Sequence, residues 1–380
     1  MDRVFHAIIP SLYPLWMVSA NLISRFGGMI ILILIGHAFA DQILGTYFAL
    51  LATIGLAVTA TQAGSGPLLI RLAQANQMRS ALVVIAIRLA IALAATVAMI
   101  SMRDHPIGLY WPLLLLPLAA ALAPDWIIAA RTEFSKLSLI AVCGQMAGII
   151  VAAWVTLTKA SIALFAIAPA ISTASLMLGA LLAYRSNNPV TVKSYELQHS
   201  NTGLIGFTLL AGFLPNLDFV LLNTGDDTVF LAQRIFLFCA GLIAAITATL
   251  FAKRVVGAAR DIWLMAPMAA VSGMLLLGPG FVAHLIYADP NPQLIELIQT
   301  GALWPVLMAI ISRQILILQE NANAKWLGWF CLLAMVGTAF VLPDPSNASE
   351  VIILVQLRLA AILFVLLAWQ RHIRLRRIRT

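Results

Sequence analysis

Charge is what this chain has least of: only 10% of its 380 residues are Asp, Glu, Lys or Arg, against about 25% in soluble domains. With 62% hydrophobic residues and a mean hydropathy of +0.98, no water-soluble fold could hide this much apolar surface. The three cysteines, Cys143, Cys239 and Cys331, lie far apart in apolar runs. They have neither disulfide nor zinc spacing and read as small buried hydrophobes. There is no Walker loop, no nucleophile elbow and no metal-spaced histidine cluster. Enzyme chemistry is therefore not expected, nor any cofactor or metal. No cleavable leader is evident either, because the apolar stretch 11–38 is too long for one and reads as a retained first span.

What is present is a series of long apolar runs. A helix needs about 20 apolar residues to cross roughly 30 Å of hydrocarbon, and a length of 380 residues allows about twelve such spans. The expected spans are 11–38, 43–64, 80–102, 107–130, 137–158, 160–184, 203–223, 228–252, 262–287, 294–319, 325–342 and 350–370. All should be helical, since an open strand edge in lipid leaves backbone groups unpaired. The fold class is thus all-α integral membrane.

The net charge of +8 is not spread evenly. Sixteen of the 23 basic residues fall at the N-terminus, in the even-numbered loops and in the tail, and only Arg103 and Lys159 fall in the odd loops. This asymmetry predicts cytoplasmic N- and C-termini. It makes the basic balance a topology signal, not a nucleic-acid footprint. The tail cluster, Arg371 to Arg379, is also placed to rest on anionic headgroups. The longest polar interruption, 185–202, divides the spans six and six. It predicts an N-terminal lobe over 1–186, a cytoplasmic linker over 187–202 and a C-terminal lobe over 203–380. The odd loops are short, so binding must occur inside the bundle or at its mouths.

Five arginines fall within spans: Arg25, Arg88, Arg234, Arg313 and Arg358. A charge at the bilayer centre costs about 2.5–3.5 kcal/mol or more, so each marks a candidate site. Asp125, Asp218 and Glu296 lie nearer span ends, which leaves the interior net basic. An anionic head group suits such an interior, because the guanidinium fork matches phosphate oxygens. Arg25 lies about 14 residues into the first span, roughly 20 Å at 1.5 Å per residue. It shares a face with Asn21 and Gly28, with Ser24 beside it, in a polar stripe suited to lining a cavity. A structural arginine capping carbonyls of a neighbouring helix is the alternative. Arg88 and Arg358 are several turns deep and suit lining or snorkelling equally, while Arg313 is nearer the cytoplasmic end. Asp218 and Arg234 are each eight residues from Asp226 in a tight hairpin. Equal depth predicts a structural charge pair between them. Prolines interrupt several spans, and Gly278-Pro279-Gly280 is the expected break. The Gly144–Gly148 spacing reads as helix packing.

The segment 22–71 resembles the opening of the polysaccharide-transport, or O-antigen, flippases of the multidrug/oligosaccharidyl-lipid/polysaccharide (MOP) exporter superfamily. The resemblance is carried by Ser24, Arg25 and Gly28, by Asp41, and by Leu44, Gly45 and Tyr47. Asp218, Ala232 and Arg234 follow the pattern in the second half, as does the segment 318–326. The family's glycine at the start of the eighth span is absent between Asp227 and Ala232. The resemblance implies two six-helix lobes around a basic cavity. It also implies movement of an undecaprenyl-diphosphate-linked oligosaccharide from the cytoplasmic to the periplasmic leaflet of a bacterial inner membrane. Implied partners are the lipid-linked glycan, membrane lipids and other glycan-assembly proteins. Only Arg25 carries over as a substrate residue. The rival readings are an ion-coupled drug exporter of the same fold and a membrane glycan polymerase or ligase. The first needs deep carboxylates, and the second needs a large external loop.

Overall fold

The computed structural model describes residues 26–62, 64–101, 107–185, 201–222, 225–252, 258–319, 324–341 and 345–379. All regular structure among them is helical. Seven helices are long and apolar enough to cross a membrane, an eighth crossing is a bent pair, and four apolar helices are shorter. Together they supply one apolar segment for each of the twelve expected spans. This is an all-α membrane fold.

The breaks follow backbone chemistry. The ninth span bends by 95° between Leu264–Leu277 and Pro279–Ile286, at the expected Gly278-Pro279-Gly280. Pro279 has no N–H to continue the first helix and sits at the start of the next, where its missing donor costs nothing. Pro267, by contrast, stays inside a helix. The fourth span is broken into a 3-10 turn at Trp111–Leu114 and helices Leu115–Leu122 and Asp125–Ala130, in step with Pro112, Pro117 and Pro124. The seventh span stops at Phe213 and resumes as the short helix Leu217–Leu221, with Pro215 in the gap. The second span departs from expectation. It does not end near residue 64 but continues, past a break, into Gly66–Gln74. The break contains Gly64 at φ 61°, a left-handed conformation that glycine adopts without strain. Ser65 and the Gly66-Pro67 helix start follow it.

The chain forms two compact units. One comprises Met1–Phe39, Ala60–Glu196 and Ala244–Val256, and the other Ala40–Thr59, Leu197–Ile243 and Gly257–Thr380. Most of the expected 187–202 linker lies outside the described residues. The division differs from a single cut there, because the first half of the second span belongs with the C-terminal unit. Small residues explain this. A Cβ on Gly45 would lie 2.8 Å from Cβ of Asp227, and one on Gly55 would lie 3.4 Å from Nδ2 of Asn216. Thr59 in turn fills the space over Gly212, 2.7 Å from where a Cβ would stand.

In the first unit, the fifth and sixth spans, Phe134–Thr158 and Ile167–Arg185, pack through glycine. A Cβ at Gly144 would meet Ser175 and the carbonyl of Ile171, and one at Gly148 would meet the Ile171 side chain at 2.5 Å. The expected packing role of this pair is what the contacts display. Lys159, at φ 53°, ends the fifth span in a left-handed cap and donates from Nζ to the carbonyl of Ala38 at 3.1 Å. Leu69, Ala73, Ala81, Trp126 and Ala130 form an apolar core where the second, third and fourth spans meet. In the second unit, Gly328 lies against the backbone of Gly206 and Phe207, each 2.7 Å from a Cβ placed there. The seventh and eleventh spans therefore touch backbone to backbone.

Candidate functional site

Both units contain buried polar side chains in otherwise apolar helices. No group of three or more His, Cys, Asp or Glu could hold a metal ion among the described residues.

In the first unit, Arg88 is 4% exposed. Its Nε donates to the Ser65 hydroxyl at 2.7 Å, and Ser65 in turn donates to the carbonyl of Gln62. Arg88 therefore staples the break in the second span. Its burial and its bond to Ser65 fit a holding role within its own unit. The sequence signal for this site is Gly64-Ser65-Gly66-Pro67, a turn run whose freed backbone groups need partners.

The second unit contains a larger polar centre. Asp218 is fully buried, and its Oδ1 lies 2.9 Å from Nη2 of Arg358, itself nearly buried. The same Arg358 nitrogen donates to the carbonyl of Met335. One guanidinium thus ties the short helix Leu217–Leu221 to the eleventh and twelfth spans. This corrects the pairing expected from equal depth. Asp218 pairs with Arg358, and Arg234 instead donates from Nη2 to the carbonyl of Phe48 at 3.0 Å. The Arg234 guanidinium also lies 4.9 Å from the centre of the Phe48 ring, within cation–π range. Depth along two antiparallel helices does not fix the direction in which each side chain points. The break at Pro215 restarts the helix at Leu217, with Asp218 in its first turn.

That break leaves carbonyls without helical partners. Gln233, fully buried, donates from Nε2 to the carbonyl of Pro215 at 3.1 Å and to Oδ1 of Asn216 at 3.0 Å. Tyr287 donates its hydroxyl to the carbonyl of Leu231 at 3.0 Å, and Gln356 donates to that of Thr300 at 2.7 Å. Neither Gln233 nor Ser65 stood out in sequence, because uncharged polar residues in apolar helices are common.

Of the other candidates, Arg313 is half-buried and engaged with a partner. Asn21, Ser24 and Arg25 lie outside the described residues. The helix that follows them, Phe26–Gly36, shows two faces. Gly27 is packed, with Cβ of Gln145 2.9 Å from where its own Cβ would stand, whereas Gly28 has nothing within 4 Å.

No family model matches the chain, and no curated protein matches it. Solved structures do. An outward-facing multidrug resistance MATE family transporter of the MOP superfamily aligns with 16% identity and a TM-score of 0.53, covering 94% of this chain and 95% of its own. A MATE structure in a bent conformation gives 15% identity and 0.55, covering 94% and 93%. The Vibrio cholerae MATE transporter VcmN, in a mutant form, gives 14% and 0.50, covering 96% and 98%. At these identities the likeness is one of architecture, and it runs the full length of both partners: the chain has a MATE-like membrane fold.

Proposed function

We propose that this chain is a membrane exporter that moves an undecaprenyl-diphosphate-linked oligosaccharide between leaflets for surface-polysaccharide assembly. The fold supports export in general. One of the similar structures is a multidrug resistance transporter, so the fold serves a drug exporter equally well.

The substrate class rests on charge. A carrier for cationic drugs, or one driven by a cation, needs a deep carboxylate free to bind it. Among the described residues the fully buried carboxylate, Asp218, already faces Arg358 at 2.9 Å. This prior neutralisation is the observation that favours an anionic substrate. Arg25 then becomes the residue proposed to meet the diphosphate. Gly28, three residues on and on the face that helical spacing gives to Arg25, has no neighbour within 4 Å of a Cβ placed on it among the described residues. A guanidinium there opposes a dianion with charge-assisted, bidentate contacts. The placement of the basic residues favours cytoplasmic termini, and the resemblance to the flippases implies a bacterial inner membrane.

The test is deletion. Loss of the chain should abolish a surface glycan and accumulate its lipid-linked precursor on the cytoplasmic leaflet. Unchanged glycan together with increased sensitivity to cationic drugs would establish the drug-exporter reading instead.

A further inference from the structure

The first half of the second span is held to the C-terminal unit by contacts that differ from ordinary apolar packing. Gly45 lies against Asp227, with 2.8 Å to Cβ and 3.1 Å to the carbonyl oxygen from a Cβ placed on it. Beside it, the Thr46 hydroxyl is 3.0 Å from Oδ2 of Asp227. The same hydroxyl is 3.1 Å from the carbonyl of Gln42 in its own helix. It has one proton and two acceptors, so losing the carboxylate still leaves it a partner. One turn further, Arg234 holds the Phe48 carbonyl and ring. Asp226, next to Asp227, accepts from Gln293 at 2.6 Å and from the Thr228 amide at 3.0 Å. The Asp227 loop is therefore fixed from its own side.

The other end of the same span has the features of a pivot. The chain passes from one unit to the other between Thr59 and Ala60. A few residues later the helix breaks at Gly64, φ 61°, with Arg88 gripping Ser65. Hinges are a few element-terminal residues that absorb a backbone change.

We propose that Gly45 and Thr46 form a latch with Asp227, and that its release swings the first half of the second span about the Gly64–Ser65 break during the transport cycle. The proposal rests on the transport reading above, but its first test needs no substrate. Opening the latch itself gives up one hydrogen bond to a carboxylate and leaves the Thr46 hydroxyl its bond to Gln42; the full swing must also part Arg234 from Phe48, so the latch is the first contact to yield and not the whole cost. The glycine is required because any side chain would wedge the contact.

The experiment uses the full chain in lipid nanodiscs, with Cys143, Cys239 and Cys331 replaced by alanine. Ala49, 4% exposed, becomes the reporter as Ala49→Cys, labelled by a membrane-impermeant maleimide. Labelling should be slow in the parent and about tenfold faster with Asp227→Ala, the effect of losing one hydrogen bond to a charged group. Gly45→Leu should accelerate it further, and Thr46→Val serves as the mildest variant should either of these fold poorly. A Thr46→Cys/Asp227→Cys pair should cross-link on oxidation. A protease site placed within 187–202 reads this directly, since only the cross-link then holds the two fragments together. With the cross-link formed, labelling at 49 should stop, and it should resume on reduction. If labelling ignores all three latch variants, or continues through a complete cross-link, the contact is static packing and the latch is refuted. If the latch responds as stated while deletion leaves surface glycan intact, the transport reading fails and the latch stands.

Discussion

Replacing Asp218 with asparagine removes one charge from a pair that the protein has taken fully out of water. Asp218 is 0% exposed and Arg358 7% exposed, with 2.9 Å between Oδ1 and Nη2. Breaking such a pair by removing one partner costs about 3–5 kcal/mol, because the other charge is stranded. That is a large share of a typical total stability of about 5–15 kcal/mol. The two halves are not equivalent. Arg358 retains the Met335 carbonyl as an acceptor when Asp218 is lost. Asp218 has only the charge contact, with no other hydrogen bond to its oxygens among the described residues. Arg358→Gln should therefore cost more than Asp218→Asn. The double variant should recover part of the loss, since no charge is then stranded. The assay is thermal unfolding of detergent-purified protein, read with the monodisperse fraction on gel filtration. A coupling energy of about 1–3 kcal/mol is expected from the cycle. Arg234→Gln, run as a control, should add to Asp218→Asn without coupling. Simple additivity of Asp218→Asn and Arg358→Gln, or coupling to Arg234 instead, would refute the assignment.

Gly148→Leu should lower folded yield by overpacking, at about 1–3 kcal/mol. Its Cβ alone would meet Ile171 at 2.5 Å and Ile31 at 2.9 Å, and gel filtration against Ile150→Leu, on the exposed face of the same helix, provides the comparison. Reporter fusions after Asp41, Asp227, Asp289 and Asp344 should read periplasmic, and those after Lys193, Arg254 and Arg371 cytoplasmic; one reversed loop would overturn the twelve-span topology. Arg25→Ala should reach the membrane at normal levels and abolish glycan export, while Arg25→Lys keeps part of it, because an ammonium reproduces the charge without the fork. Wild-type glycan with Arg25→Ala would remove the arginine from the substrate path.

The fold was legible because lipid imposes coarse rules. Helix length, hydropathy and proline position predicted an apolar segment for every span and the bend at Gly278-Pro279-Gly280. The second span was misjudged because Gly64-Ser65-Gly66 resembles a loop in isolation. What keeps it in a span is the bond from Arg88 to Ser65, a contact between helices that no local pattern reveals. The same limit explains the Asp218 error. Its depth was readable from residue spacing, but its azimuth depends on the Pro215 break and on a twelfth span far along the chain. Arg88, Arg313 and Arg358 were marked by depth and its cost alone, and cost cannot separate an arginine serving a substrate from one serving a neighbouring helix. The association of residues 40–59 with the C-terminal unit was also hidden. It depends on glycine faces at Gly45, Gly55 and Gly212, and glycine in a membrane helix carries no address.

The central claim is that the cargo is a lipid-linked diphosphate. It is tested most directly with the purified chain in proteoliposomes carrying a fluorescent undecaprenyl-diphosphate-linked oligosaccharide. The readout is the fraction of label reached by an impermeant quencher over time. The account predicts faster transbilayer exchange than in empty vesicles, loss of that exchange with Arg25→Ala, and no competition from cationic drugs. Exchange equal to that of empty vesicles, alongside uptake of a cationic dye by the same preparation, would contradict it.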